Sequence, residues 1–138
     1  MEVVGRFSKN VNLSRMSPIF RIEERRMMQP TKQQPAQKLI DQMVSRIVQQ
    51  FRPERVILFG SYARGEAGRD SDVDLLVVMP VSGSKRAKQV EVRLALHDIR
   101  LAKDIIVVTP AEFKRNQEIV GTIVRPAVKE GKVLYARD

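Results

Sequence analysis

Three short runs of branched aliphatic residues constrain this chain more than any other feature: RVILF at 55–59, DVDLLVVM at 72–79 and DIIVV at 104–108. Each is rich in Val, Ile and Leu and is bounded by turn-forming residues, which predicts strands. The second is apolar on both faces after Asp74, so it predicts a strand covered on two sides. Helical spacing surrounds these runs. Leu39, Ile40, Met43, Val44, Ile47, Val48 and Phe51 predict a helix from Ala36 that Pro53 ends. Residues 85–102 read as a second helix, with Ala87, Val90, Leu94 and Leu101 on a core stripe. Residues 110–131 read as helical, interrupted near Gly121 and Pro126, and KVLYA at 132–136 as a last short strand. This order predicts an α/β (α+β) domain, a small mixed sheet of about three to four strands flanked by helices. A length of 138 residues suits one such core.

Residues 1–35 differ from the rest. They hold seven basic and three acidic residues and end in QPTKQQP, which reads as a linker after a basic, flexible extension. The pair Met27-Met28 offers a second possible start. The domain proper is expected at 36–138. Net charge is +9, but the excess is spread along the chain with only 5% aromatic residues, which favours an anionic ligand over nucleic-acid binding. With no Cys, disulfides and thiolate metal sites are excluded. No apolar run suits a membrane span, and the expected location is cytoplasmic.

The stretch GSYARGEAGRDSDVD, 60–74, carries the chemistry. Gly60 permits a tight turn and close backbone approach. Ser61 is a good N-cap for a helical turn through YARGE, so the turn offers N–H groups and a hydroxyl to an anion. Arg64 can serve the same anion. Asp72 and Asp74 stand two apart on a strand and therefore share a face. Two like charges so placed repel unless a cation lies between them, and Mg²⁺ is the hard ion that takes carboxylates together with phosphate oxygens. Asp104 opens the next strand, so neighbouring strands would gather three carboxylates at one sheet edge. Arg69, Lys85, Arg86 and Lys88 read as a solvated face, His97 as structural or exposed, and Tyr62 and Tyr135 as packing residues.

Together, Gly60-Ser61, ten intervening residues, Asp72-x-Asp74 and the later strand residue Asp104 resemble the signature of the DNA polymerase β-like nucleotidyltransferase superfamily. The wording GSYARG, SDVDLLV and DIIVVTPAEF resembles its minimal nucleotidyltransferase branch, across about residues 36–136. The resemblance implies a polymerase β palm-like fold and transfer of a nucleoside monophosphate, AMP from ATP or another NTP, to a hydroxyl. It implies that Gly60 and Ser61 hold the triphosphate, with Arg64 steadying phosphates or turn. It implies that Asp72 and Asp74 bind two Mg²⁺ ions and that Asp104 completes the metal site and helps activate the acceptor. It further implies a small all-helical HEPN-type protein as partner, in a toxin–antitoxin pair. The alternatives are a catalytically silent module that occludes such a partner and a small-molecule, antibiotic-type transferase. Self-association is compatible with either.

Overall fold

The computed structural model describes residues 33–137. The expected basic extension therefore lies almost wholly outside the described residues. From Pro35 onward the chain forms one compact unit.

Among the described residues nine elements follow in order: α1 (Gln33–Phe51), β1 (Arg55–Phe59), α2 (Ser61–Arg64), β2 (Val73–Val78), α3 (Lys85–Ala95), β3 (Lys103–Val108), α4 (Pro110–Asn116), α5 (Val124–Glu130) and β4 (Lys132–Ala136). Helix α1 starts inside the presumed linker, because proline is accepted in a first helical turn where its missing N–H is not needed. It stops where Arg52 turns to positive φ ahead of Pro53. The interruption after α4 occupies 117–123. Pro126 breaks nothing, since it falls in the first turn of α5.

The four strands form one mixed sheet in the order β3-β2-β1-β4. β1 runs antiparallel to both β2 and β4, while β2 and β3 are parallel. A parallel pair needs a crossover, and α3 supplies it. The alternation of β2 divides the core. Val73, Leu75, Val77 and Met79 pack with Ile40, Met43 and Ile47 of α1 and with Val92 and Leu96, on or just after α3. Leu76 and Val78 pack on the opposite face with Ile57 and Phe59 of β1, Phe113 of α4, and Val124 and Ala127 of α5. Both faces of the central strands are covered, as their double-sided hydrophobicity requires.

Helix α3 corrects the expected stripe. It ends at Ala95, and Val92 is its buried residue, with Leu96 and Ile99 continuing the contact just beyond it. Val90 and Leu94 lie outward, at 45% and 63% exposure, and Ala87 is exposed beside them. The helix carries apolar residues on two faces, and spacing alone cannot say which one the sheet covers. His97 sits just past the helix, exposed, with Nδ1 2.8 Å from the Leu94 carbonyl.

Gly131, between α5 and β4, is held by space rather than by φ. A Cβ there would meet the Ala127 carbonyl and lie 2.8 Å from both Ile57 Cγ2 and the Leu58 carbonyl. Gly131→Ala is expected to cost roughly 1–3 kcal/mol of stability by overpacking, read as a lowered midpoint in urea unfolding. An unchanged midpoint would show that α5 can shift away from β1.

Candidate active site

The β1–β2 connection builds the site. β1 ends at Phe59, and Gly60 follows with φ +77°, a conformation open mainly to glycine. Gly60, not Ser61, is the N-cap of α2, and no side chain caps it. Ser61 is the first helical residue. The Gly60 carbonyl accepts from the Ala63 and Arg64 amides at 3.0 and 3.1 Å. The amides of Ser61 and Tyr62 find no acceptor among the described residues, as expected for a first helical turn. Gly65, in the left-handed region, closes the turn. Ala63 is buried beneath it, and Tyr62 packs against the α1–α3 side of the core.

Gly60 is also pressed against a carboxylate. A Cβ at this position would collide with Asp74 Oδ2. Register explains the approach, because Phe59 pairs with Asp74 across β1 and β2. In the parallel ladder, Asp74 pairs with Asp104. The two carboxylates therefore lie side by side on one face, at the end where Phe59 and Leu76 stop filling it. Asp72 lies one residue before β2, exposed, with the same strand parity as Asp74. Asp74 is the most enclosed of the three. Burial, then the Asp104 and Asp72 charges, push its carboxyl above the usual carboxylate range, and Arg64 opposes them. Of the three acids expected to gather, the strand register brings Asp74 and Asp104 together, while Asp72 stays exposed just outside β2.

Arg64 lies on this side of the molecule, yet it is engaged by acids. Its Nε donates to Glu66 at 2.9 Å, and its Nη1 lies 3.6 Å from Glu130 at the end of α5. Those partners, Glu66 first, raise its pKa further and hold it charged. In this arrangement Arg64 ties the α2 turn to α5. Arg93 is a participant that the motif spacing does not reveal. From α3 it lies 3.5 Å from Asp104, reaching around the outer edge of β3. One helical turn earlier on the same side, Gln89 accepts the edge amide of Val107 at 2.9 Å. The other cations are occupied as a surface would be: Lys85 with Glu112 at 2.7 Å and Lys88 with Glu91 at 3.0 Å, while Arg69 and Arg86 are exposed.

The donor set suits a hard divalent cation: carboxylate oxygens only, with like charge left uncompensated on Asp74. Among the described residues no three acids, histidines or cysteines close into a metal cage by themselves. Mg²⁺ commonly takes one or two carboxylates and completes its shell with water and substrate phosphates, and Asp74 with Asp104 is a pair of that kind.

The nucleotidyltransferase domain family matches residues 40–135, which spans every element of the sheet. The chain belongs to that family. Among relatives of the nucleotidyltransferase domain, the Methanocaldococcus jannaschii protein named "Putative protein adenylyltransferase MJ0604" is 30% identical over 101 residues, covering 72% of this chain and 97% of its own. The same organism's "Putative protein adenylyltransferase MJ0141" is 39% identical over 62 residues, covering 45% of this chain and 61% of its own length. A Sulfolobus solfataricus crystal structure described as a "putative nucleotidyltransferase" aligns with TM-score 0.49 and 26% identity, over 80% of this chain and 93% of that one. A toxin–antitoxin structure with AMP-PNP aligns with TM-score 0.47 and 20% identity, over 78% and 76% of the respective chains. No helix among the described residues is long and apolar enough to cross a membrane.

Proposed function

We propose that this nucleotidyltransferase is a Mg²⁺-dependent adenylyltransferase that moves AMP from ATP to a hydroxyl on a partner protein, a small helical HEPN-type toxin that it neutralises. One observation carries the chemistry. The register sets Asp74 beside Asp104, and Asp74 Oδ2 lies against Gly60, which supports reading the anion turn and the two carboxylates as one site. The protein acceptor is supported by the names of the Methanocaldococcus jannaschii relatives, the longer alignment covering 97% of its protein. The helical partner rests on the wording of the GSYARG and SDVDLLV motifs.

In this reading the amides of Ser61 and Tyr62 and the Ser61 hydroxyl hold the distal phosphates at the α2 turn. Asp72, Asp74 and Asp104 would hold up to two Mg²⁺ ions, which when bound would neutralise phosphate charge and help the acceptor oxygen ionise. Asp104, the acid on the outer strand β3, takes the hydroxyl proton. The acceptor oxygen bonds to the α-phosphorus as the bond to the β-phosphate oxygen breaks, and pyrophosphate leaves. Arg64 keeps the turn in place through Glu66 and Glu130. We assign residues 36–138 to this domain and place the protein in the cytoplasm.

The test is label transfer. The purified full chain is incubated with α-³²P-labelled ATP, Mg²⁺ and the product of the neighbouring gene. Label on that protein is expected with wild type and not with the Asp72→Ala, Asp74→Ala double variant. No label with folded wild type would overturn the reading. Neutralisation that survives in the double variant would show occlusion instead.

A further inference from the structure

Helix α3 presents an unpartnered apolar ridge, on the far side of the sheet from the carboxylates and joined to them around the edge of β3 by Arg93. Ala87, Val90 and Leu94 follow i, i+3, i+7 spacing, and all three face away from the Val92–Leu96 side that meets the sheet. Leu94 is 63% exposed and Val90 45%. Two large aliphatic side chains one turn apart on a convex surface are what a second helix packs against.

Charge decides what that partner is. α3 holds four basic residues and one acid, KRAKQVEVRLA. Glu91 is paired with Lys88, so the sole acid on the helix is already neutralised. Arg86 and Arg93, seven residues apart, share the flank of the ridge that faces the outer edge of β3. A second copy would bring the same basic rim against itself, which disfavours an isologous dimer. The chain's own residues 1–32, with seven basic and three acidic residues, are mismatched in the same way. An acidic rim is complementary.

One contact links this helix to the carboxylates: Arg93, on the flank of the ridge, lies 3.5 Å from Asp104. We propose that the Ala87–Val90–Leu94 face of α3 is the docking surface for an amphipathic helix with an apolar stripe and an acidic rim, carried by the protein that supplies the acceptor hydroxyl. This rests on the reading that the acceptor is a protein. A carboxylate of the docked helix that takes Arg93 releases Asp104 for the reaction, so docking and readiness of the site are coupled.

The test needs neither nucleotide nor Mg²⁺, so its outcome is separate from that of label transfer. Three fluorescent helical peptides of about 20 residues are titrated against the full chain by anisotropy: one with a Leu stripe and Glu rim, one with the same stripe and a Lys rim, and a scrambled control. The Glu-rimmed helix is expected to bind at least about tenfold more tightly than the Lys-rimmed one. Leu94→Glu should weaken it about tenfold or more, and Arg93→Gln by a smaller factor. Asp74→Asn, a variant of the nucleotide side, should bind the peptide as wild type does. Because Leu94 is exposed, Leu94→Glu should keep the wild-type circular dichroism and melting midpoint. Equal binding of both rims, no binding of either, or unchanged binding by Leu94→Glu overturns the proposal. A dimer in light scattering that Leu94→Glu dissolves, or displacement of the Glu-rimmed helix by a peptide of residues 1–32, overturns it in favour of that other occupant.

Discussion

Asp74→Asn is expected to lower nucleotidyl transfer by on the order of a hundred- to a thousandfold while leaving the protein at least as stable as wild type at neutral pH without divalent cations. The two halves of this result have one cause. Asp74 is the carboxylate on which burial and the charges of Asp104 and Asp72 converge, and they raise its pKa in the folded state. A raised folded pKa means that, over the pH range between the unfolded and folded values, the native protein binds more protons than the unfolded chain. Stability therefore falls as pH rises through that range, and ionised Asp74 burdens the fold above it. The amide of Asn carries no charge, so thermal melts of Asp74→Asn should lose this part of the pH dependence. Mg²⁺ added to wild type should raise its melting midpoint by binding the folded state, and the variant should respond much less. A variant that melts lower than wild type at pH 7, or one that keeps full transfer, would remove Asp74 from the centre of the site.

Gly60→Ala is expected to damage activity and stability together. The φ of +77° strains any residue with a Cβ, by about 1–2 kcal/mol. The added methyl also collides with Asp74 Oδ2, so the carboxylate or the turn must move. A displacement near 1 Å at reacting groups costs on the order of a hundredfold in rate. Transfer assays should show that loss, and urea unfolding the lower stability. Gly65→Ala offers the control. Gly65 shares the positive φ, but a Cβ there meets nothing within 4 Å. It should lose stability from strain and keep most of its activity. Equal activity losses in the two variants would show that backbone conformation, and not the approach to Asp74, is what Gly60 protects.

The strands were legible because their residues allow little else. RVILF, LLVVM and DIIVV are too apolar to be loops and too short to be helices of a core this size. The helix before them was legible from seven apolar residues at regular spacing. The closeness of Gly60, Asp74 and Asp104 was legible because glycine and acids at the mouths of buried strands need a reason, and a phosphate–cation site is the one proposed for them. The capping role of Gly60 was harder to read. Serine is a good cap in general, and the choice between Gly60 and Ser61 depends on the positive φ at Gly60, which spacing does not show.

Other features depend on distances that sequence order does not contain. Arg93 lies eleven residues before Asp104 with no spacing rule between them, and they meet because α3 lies along an edge strand. Glu130 reaches Arg64 because α5 returns to the β1 end before β4 pairs. The outward turn of Val90 and Leu94 was invisible for a related reason, since a helix with apolar residues on two faces does not say which face its sheet will take. Composition and local pattern determined the strands, the acids that open them and the turn that accompanies them, because torsional preference and burial act within a few residues. The register that sets Asp74 beside Asp104, the partners of Arg64 and Arg93, and the exposed ridge of α3 were decided only when strands paired and helices packed, because those relations join segments far apart in the chain.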